Sequence, residues 1–196
     1  MKTALVRCVA VAMILAGLVV GGKVGYGLVS QQNAGSTQDK AWQTFVSAAA
    51  GQDNVSASAA SPAPAGVPDG LYLKLTIPKI NNSAVAVDGD WSSLHQVSMV
   101  HYHDSPAPGA KGNVLVAFHR EPHWIDINKV GAGDMVQIQT ADGKTYNYQI
   151  DQVKIVKPTE VDLLKPTTGN DLTLITCDPP WQDYDRMMFR AHLVTS

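Results

Sequence analysis

Short apolar runs separated by turn residues fill the sequence from Leu71 onward, and this pattern is typical of β-strands. The first run alternates apolar and polar residues until Pro78 stops it, and Asp142-Gly143 between two alternating runs predicts a hairpin. Strands are predicted at residues 71–77, 83–87, 114–118, 134–140, 145–150, 151–156, 172–177 and 187–194. Brief helices are expected at 92–95 and 123–130. About eight strands with few helical periods predict a small mixed or closed β-barrel.

Two of these runs end in a side chain that can do covalent chemistry. The run Leu174-Ile175-Thr176 leads to Cys177, and the run Val114 to Phe118 leads to His119. A free cysteine or histidine is usually a packed residue. Two strands that each deliver a reactive group, with Arg186 opening a third run, favour a nucleophile, a base and an oxyanion partner instead.

The last strand carries two arginines, and the residues alone do not separate them. Arg186 stands at the start of the apolar run Met187-Met188-Phe189. Arg190 is four residues further on and lies on the same nominal face of the strand. The position at the start of the run favours Arg186.

The N-terminal segment predicts an exported, membrane-anchored chain. No charged residue occurs between Cys8 and Gly22, and Lys2 and Arg7 precede or open the apolar stretch. The positive-inside rule then leaves the N-terminus in the cytoplasm and the remaining chain outside the cell. The expected organisation is an uncleaved anchor over 1–29, with a cleaved signal peptide as the alternative.

Residues 30–69 are rich in Ala, Ser, Gly, Gln and Pro, a composition that predicts a flexible stalk between the anchor and a catalytic domain at 70–196. A short helix around Trp42 and Phe45 is a possible exception within it.

Composition and histidine spacing exclude other classes of function. A formal net charge of −2 gives no electrostatic reason to expect nucleic acid as a partner. The histidines at 101, 103, 119 and 123 are close in sequence, but Pro122 disrupts a helical pair and no cysteine or carboxylate pattern completes a zinc site. No metal or cofactor is expected, and the sequence offers no support for calcium.

These features together resemble the sortases, membrane-anchored cysteine transpeptidases found mainly in Gram-positive bacteria. The resemblance covers residues 71–194. It is carried by Leu75-Thr76-Ile77-Pro78-Lys79-Ile80, Pro108-Gly109-Ala110-Lys111-Gly112-Asn113-Val114, Thr173-Leu174-Ile175-Thr176-Cys177 and Arg186-Met187-Met188-Phe189. Sortases commonly carry Gly before the catalytic His, whereas this chain has Phe118. A large ring at that position could reshape the site or indicate a degenerate enzyme.

The resemblance implies an eight-stranded sortase-like barrel and a defined reaction. Cys177 would attack the scissile carbonyl as a thiolate, His119 would protonate the leaving amine, and Arg186 would stabilise the oxyanion or position the substrate. Thr176 and Trp181 are expected to contact the substrate, although Trp181 could equally be a packing residue. The loop over 157–170 is expected to form a wall of the substrate site.

The implied partners are proteins with a C-terminal sorting signal of the Leu-Pro-x-Thr-Gly type and an amine acceptor, either a peptidoglycan precursor or a pilin lysine. The absence of an apolar segment after Val194 favours an anchoring enzyme over a pilus polymerase. Two alternatives stay open at this point. One is a cysteine peptidase or an enzyme of peptidoglycan cross-links, and the other is a binding domain that keeps the fold without the activity.

Overall fold

The computed structural model describes Lys40, residues 42–44, residues 46–47 and residues 70–195. All of them belong to one compact unit, Gly35–Ser196. The predicted anchor over 1–29 and most of the predicted stalk lie outside the described residues. Within the described part of the chain, no helix is both long and apolar enough to cross a membrane.

Eight strands close into a barrel. The strands are β1 Leu71–Ile77, β2 Asn82–Gly89, β3 Met99–Tyr102, β4 Gly112–Phe118, β5 Met135–Thr140, β6 Thr145–Val156, β7 Asn170–Asp178 and β8 Asp185–Thr195. Their order around the barrel is β1-β2-β3-β4-β7-β8-β6-β5. Short 3-10 helices occupy Pro78–Ile80, Trp91–His95, Ile125–Lys129 and Asp162–Leu164.

Most neighbouring strands run antiparallel, and two pairs run parallel. The parallel pairs are β2 with β3 and β4 with β7. Parallel strands need a long connection, and the segment between β4 and β7 contains the β5–β6 hairpin. As a consequence, β4 and β7 finish at the same end of the barrel.

The closed, mainly β fold predicted from the sequence is confirmed, but two strand assignments differ. Residues 145–156, expected as two strands, form the single strand β6. The strand β3 was not predicted, because it has only four residues and contains His101. The ring of His101 is buried, and its Nδ1 lies 2.7 Å from a carboxylate oxygen of Asp88. This hydrogen bond offsets the free-energy cost of burying a polar side chain in the strand.

Alternation along the strands separates a core face from an outer face. The core side of three neighbouring strands is formed by Val114, Val116 and Phe118 of β4, Leu172 and Leu174 of β7, and Met187, Phe189 and Ala191 of β8. The intervening residues therefore point to the outside of the barrel. Cys177 and Arg186 belong to this outer set.

The described part of the predicted stalk is the short helix that was expected around Trp42. Lys40, residues 42–44 and residues 46–47 are helical, and Trp42 is fully buried against Leu71, Val85 and Ala141. The Trp42 indole nitrogen also donates a hydrogen bond of 3.1 Å to Gln139. The folded unit therefore begins before the expected boundary at residue 70, because one large aromatic residue finds an apolar site on the barrel.

Candidate active site

Cys177 and Arg186 face each other across the antiparallel pair of β7 and β8. Their Cα atoms are register partners one residue from the ends of the two strands, where Asp178 pairs with Asp185. Directly opposed residues of an antiparallel pair place their side chains on the same face. The predicted thiol and guanidinium are therefore neighbours on the outer face of the barrel.

His119 is brought to the same place by the parallel pair of β4 and β7. The register aligns Ala117 with Ile175, so continuing it by two residues places His119 level with Cys177. The hydroxyl of Thr176 donates a 2.8 Å hydrogen bond to the carbonyl of Phe118, which ties the two strand ends together. All three predicted catalytic residues therefore lie at one end of three adjacent strands.

The short helix Trp91–His95 orients the imidazole of His119. Nε2 lies 2.7 Å from the carbonyl of Leu94, and the His119 backbone N–H donates to the carbonyl of Ser98 at 3.0 Å. Since a carbonyl oxygen can only accept, Nε2 carries a proton and Nδ1 is the nitrogen that can exchange one. Asp90 caps this helix by accepting from the backbone N–H groups of its first turn, which fixes the position of Leu94.

The guanidinium of Arg186 is held at the start of β8. Its Nη1 donates to the carbonyls of Asp183 and Asp185, each at 3.0 Å. Among the described residues the other N–H groups of the fork have no partner, so they can bind a developing oxyanion.

Cys177 is a partly buried free thiol. Burial raises its pKa above the ordinary value, and the negative charges of Glu121 and Asp183 raise it further, whereas the positive charge of Arg186 lowers it. The thiolate is therefore a minority form at neutral pH, and Arg186 is the nearby group that favours it.

Phe118, the departure from the family pattern, does not enter the site. Its side chain is 2% exposed and packs in the barrel core, with its ring centroid 5.2 Å from that of Trp124. Strand alternation sends the side chain of residue 118 inward and that of residue 119 outward. The aromatic ring thus adds to the core and leaves the space beside Cys177 unchanged.

The two residues expected to contact substrate have different environments. Thr176 is 2% exposed, and its hydroxyl donates to the carbonyl of Phe118 at the ends of β4 and β7. Trp181 is 66% exposed, which removes the packing alternative for its ring. Substrate contact by either residue stays a prediction.

An ion pair that the sequence reading missed joins the residues that directly follow His119 and Cys177. Arg120 is 3% exposed and its Nη1 binds the carboxylate of Asp178. Next to it, the backbone N–H of Trp181 donates to Glu121 at 2.6 Å. No sequence signal could have found this pair, because it depends on the parallel register of β4 and β7.

The loop after β6 covers the outer face beside the site, and Arg190 holds it there. Arg190 Nη2 and the Asn113 amide both donate to the carbonyl of Leu163, at 2.6 and 3.0 Å. Arg190 pairs with Thr173, four residues along β7 from Cys177. This separation supports Arg186 as the site arginine and leaves Arg190 as a loop anchor.

Within the described residues, no group of three or more His, Cys, Asp or Glu side chains is placed to hold an ion. His101 lies between Asp88 and Ser105 in a Ser-His-Asp order, with Nε2 3.1 Å from the Ser105 hydroxyl. That hydroxyl already donates to the Tyr102 carbonyl at 2.7 Å and accepts from the Leu115 N–H, so the arrangement is structural.

A closed barrel with a thiol, an imidazole and a guanidinium at one end is typical of a cysteine-dependent acyl transferase. The family model for the sortase domain matches residues 75–194. Sortase D of Bacillus subtilis (strain 168) is 27% identical over 181 residues, which cover 85% of this chain and 86% of the relative. The chain belongs to the sortase family and is a cysteine transpeptidase.

Solved sortases have the same fold. Sortase C1 from Streptococcus agalactiae is 28% identical, with a TM-score of 0.58 over 65% of this chain and 69% of that structure. A Clostridium perfringens sortase D5 transpeptidase is 20% identical, with a TM-score of 0.60 over 84% and 98% of the two chains. A lid mutant of sortase A from Corynebacterium diphtheriae is 22% identical, with a TM-score of 0.61 over 82% and 95%.

Proposed function

We propose that this sortase cleaves a C-terminal sorting motif of the Leu-Pro-x-Thr-Gly type and transfers the protein to a cell-wall amine, with Cys177, His119 and Arg186 as its catalytic residues. The observation that supports the assignment is the register of β7, which pairs Cys177 with Arg186 on one side and, on the other, pairs Ile175 with Ala117, two residues before Cys177 and His119.

In the first half-reaction, the Cys177 thiolate attacks the carbonyl carbon of the scissile peptide bond. A carbon–sulfur bond forms, the carbon–nitrogen bond breaks, and His119 gives its proton to the leaving amine. Arg186 stabilises the negative charge on the carbonyl oxygen. In the second half-reaction His119 takes a proton from the acceptor amine, which attacks the thioester and releases the Cys177 thiolate.

The surface beside Cys177 supports an apolar side chain in the sorting motif. The next outward residue of β7 is Ile175, which pairs with Met188 of β8 and with Ala117 of β4. The loop anchored by Arg190 brings Leu163 to the same outer face. Ala117 and Met188 are buried, so the half-buried Ile175 and Leu163 are the apolar residues that an extended peptide would contact on this face.

We further propose that residues 1–29 anchor the enzyme in the cell membrane with the catalytic unit outside. The sorting substrate and the acceptor amine are both available on that side of the membrane. Carbonate extraction of membranes, followed by protease treatment of intact cells, tests this placement. Recovery of the chain in the soluble fraction would contradict it.

The test of the reaction is mass spectrometry of the full-length chain in mild detergent, incubated with a library of sorting-motif peptides and an amine acceptor. A ligated product, together with a thioester adduct that Cys177→Ala loses, is the expected result. Hydrolysis of the peptides without ligation would instead favour a cysteine peptidase. No adduct with any peptide would refute the proposal.

A further inference from the structure

We propose that Arg120 is a positioning residue that keeps Cys177 reactive, because its buried ion pair with Asp178 neutralises the carboxylate adjoining the nucleophile. The inference rests on the assignment of Cys177 as the nucleophile. It concerns groups that touch neither the substrate nor the acceptor.

The location of the pair is the first argument. Arg120 directly follows His119, and Asp178 directly follows Cys177. The contact between their side chains therefore closes a short bridge between the two chain segments that hold the reacting groups. The side chains are 4% and 17% exposed, so water screens their charges little.

The second argument is that the pair is a poor device for stability alone. Taking two charges out of water costs about as much as their attraction returns, and an apolar pair of the same volume stabilises equally well or better. The Nε of Arg120 is moreover buried without a hydrogen-bond partner among the described residues. A function in the site explains why charges occupy these two positions.

The third argument is the charge around the thiol. Glu121 from the segment after β4 and Asp183 from the segment before β8 already disfavour the thiolate, and Arg186 is the cation that opposes them. His119 lies at the end of β4, and Asp185, which binds Lys157, pairs with Asp178 across β7 and β8. Asp178 directly follows Cys177 in the chain, and the guanidinium of Arg120 neutralises its carboxylate, which would otherwise add to the negative charge at this strand end.

The test measures the iodoacetamide alkylation rate of Cys177 against pH in the full-length chain. Mass spectrometry of the peptide that contains Cys177 excludes a contribution from Cys8. In Arg120→Met the carboxylate loses its partner, and we expect the profile to move to higher pH. The rate at pH 7 should fall about threefold or more, as expected for one uncompensated charge in a partly desolvated site. In Asp178→Asn the cation is left alone, and we expect the profile to move to lower pH.

Shifts of the alkylation profile in opposite directions distinguish an electrostatic role from a purely structural one, because loss of a structural contact would affect both single variants alike. Arg120→Met combined with Asp178→Asn should return the profile to that of the wild type, and Arg120→Lys should retain it. Lys144→Met, which removes an exposed ion pair with Asp142 at the β5–β6 turn, is the matched control and should leave it unchanged. With a sorting peptide, Arg120→Met should lower kcat and leave KM within about twofold.

Shifts in the same direction, or no shift in either single variant, would overturn the inference. If Arg120→Met does not fold, Asp178→Asn and the double variant still test the inference. Asp178→Asn must move the alkylation profile to lower pH, and the double variant must have the profile of the wild type. Alkylation needs no peptide, so this outcome is independent of the proposed reaction. A chain that ligates no sorting peptide yet shows the opposite shifts would refute the proposed function alone.

Discussion

Replacing Phe118 by Gly, the residue that sortases commonly carry before the catalytic His, should destabilise this enzyme without increasing its activity. A Phe side chain that is 2% exposed removes on the order of 170 Å² from water, which corresponds to about 4 kcal/mol. The measured cost of truncating a buried Phe to Ala is about 3–5 kcal/mol. A glycine in a strand adds about 0.5–1 kcal/mol. We therefore expect a loss of roughly 4–6 kcal/mol in the free energy of unfolding.

Urea unfolding followed by tryptophan fluorescence measures this loss, because Trp124 packs against the ring of Phe118. Such a loss approaches the whole stability of a small domain, so Phe118→Leu is the variant for activity assays. It should cost less than about 2 kcal/mol and keep the ligation rate per folded molecule. A Phe118→Gly enzyme that stayed within about 1 kcal/mol of the wild type, or that ligated peptides faster, would refute the placement of this ring in the core.

Further predictions concern the thiol, the strand ends, the alkaline limit and the N-terminal helix. Arg186→Met should move the alkylation profile of Cys177 to higher pH, since Arg186 lowers the pKa of that thiol, and an unchanged profile would contradict this. Thr176→Val should cost about 1–3 kcal/mol in urea unfolding, because a buried carbonyl loses its donor. Burial raises the pKa of Tyr148 to about 12, so its contribution to stability is complete below pH ~10 and is lost as pH rises toward 12; Tyr148→Phe should flatten this alkaline decline in pH-dependent unfolding. Trp42→Ala should lower the free energy of unfolding by about 3–5 kcal/mol. An unchanged urea midpoint would show that the helix of Trp42 does not stabilise the barrel.

Most strands could be predicted from the sequence because their burial alternates in step with the pattern of apolar residues. The strand β1 is the clearest case, with its residues alternately buried and half-buried throughout. The strand β3 could not be found in this way, since its identity depends on Asp88, a residue of another strand, to satisfy His101. Short-range patterns do not contain such long-range compensation.

The position of Trp42 shows the same limit at the level of domain boundaries. The surrounding composition is typical of a linker, and although a helix around Trp42 was expected, nothing in the sequence indicated that this residue packs on the barrel. The surface it covers is formed by residues from β1, β2 and the turn after β5, which are far apart in sequence. A boundary drawn from composition therefore falls too late whenever a single side chain contributes most of the contact.

The candidate site residues could be predicted one by one from the sequence, whereas the contacts that surround them could not. Cys177, His119 and Arg186 were found because each stands at the boundary of an apolar run. The ion pair of Arg120 and Asp178 was not predicted, because no sequence pattern reports which strand ends meet. Their partnership follows from the register of β4 and β7 and becomes visible only in three dimensions.

The parallel pairing of β4 and β7 explains why the site lies at this end of the barrel. Since both strands run in the same direction, the residues that leave them emerge side by side, and equal offsets along the two chains remain adjacent. An antiparallel pair would have put the histidine and the thiol at opposite ends of the barrel. This topology places Arg120 beside Asp178 at the same offset as Ala117 and Ile175, and the antiparallel strand β8 adds Arg186 from the other side. Glu121 accepts from the backbone of Trp181, two residues beyond that offset. A one-residue slip of β7 relative to its neighbours would turn Cys177 into the core and remove these contacts together, and the hydrogen bond from the Thr176 hydroxyl to the carbonyl of Phe118 opposes such a slip.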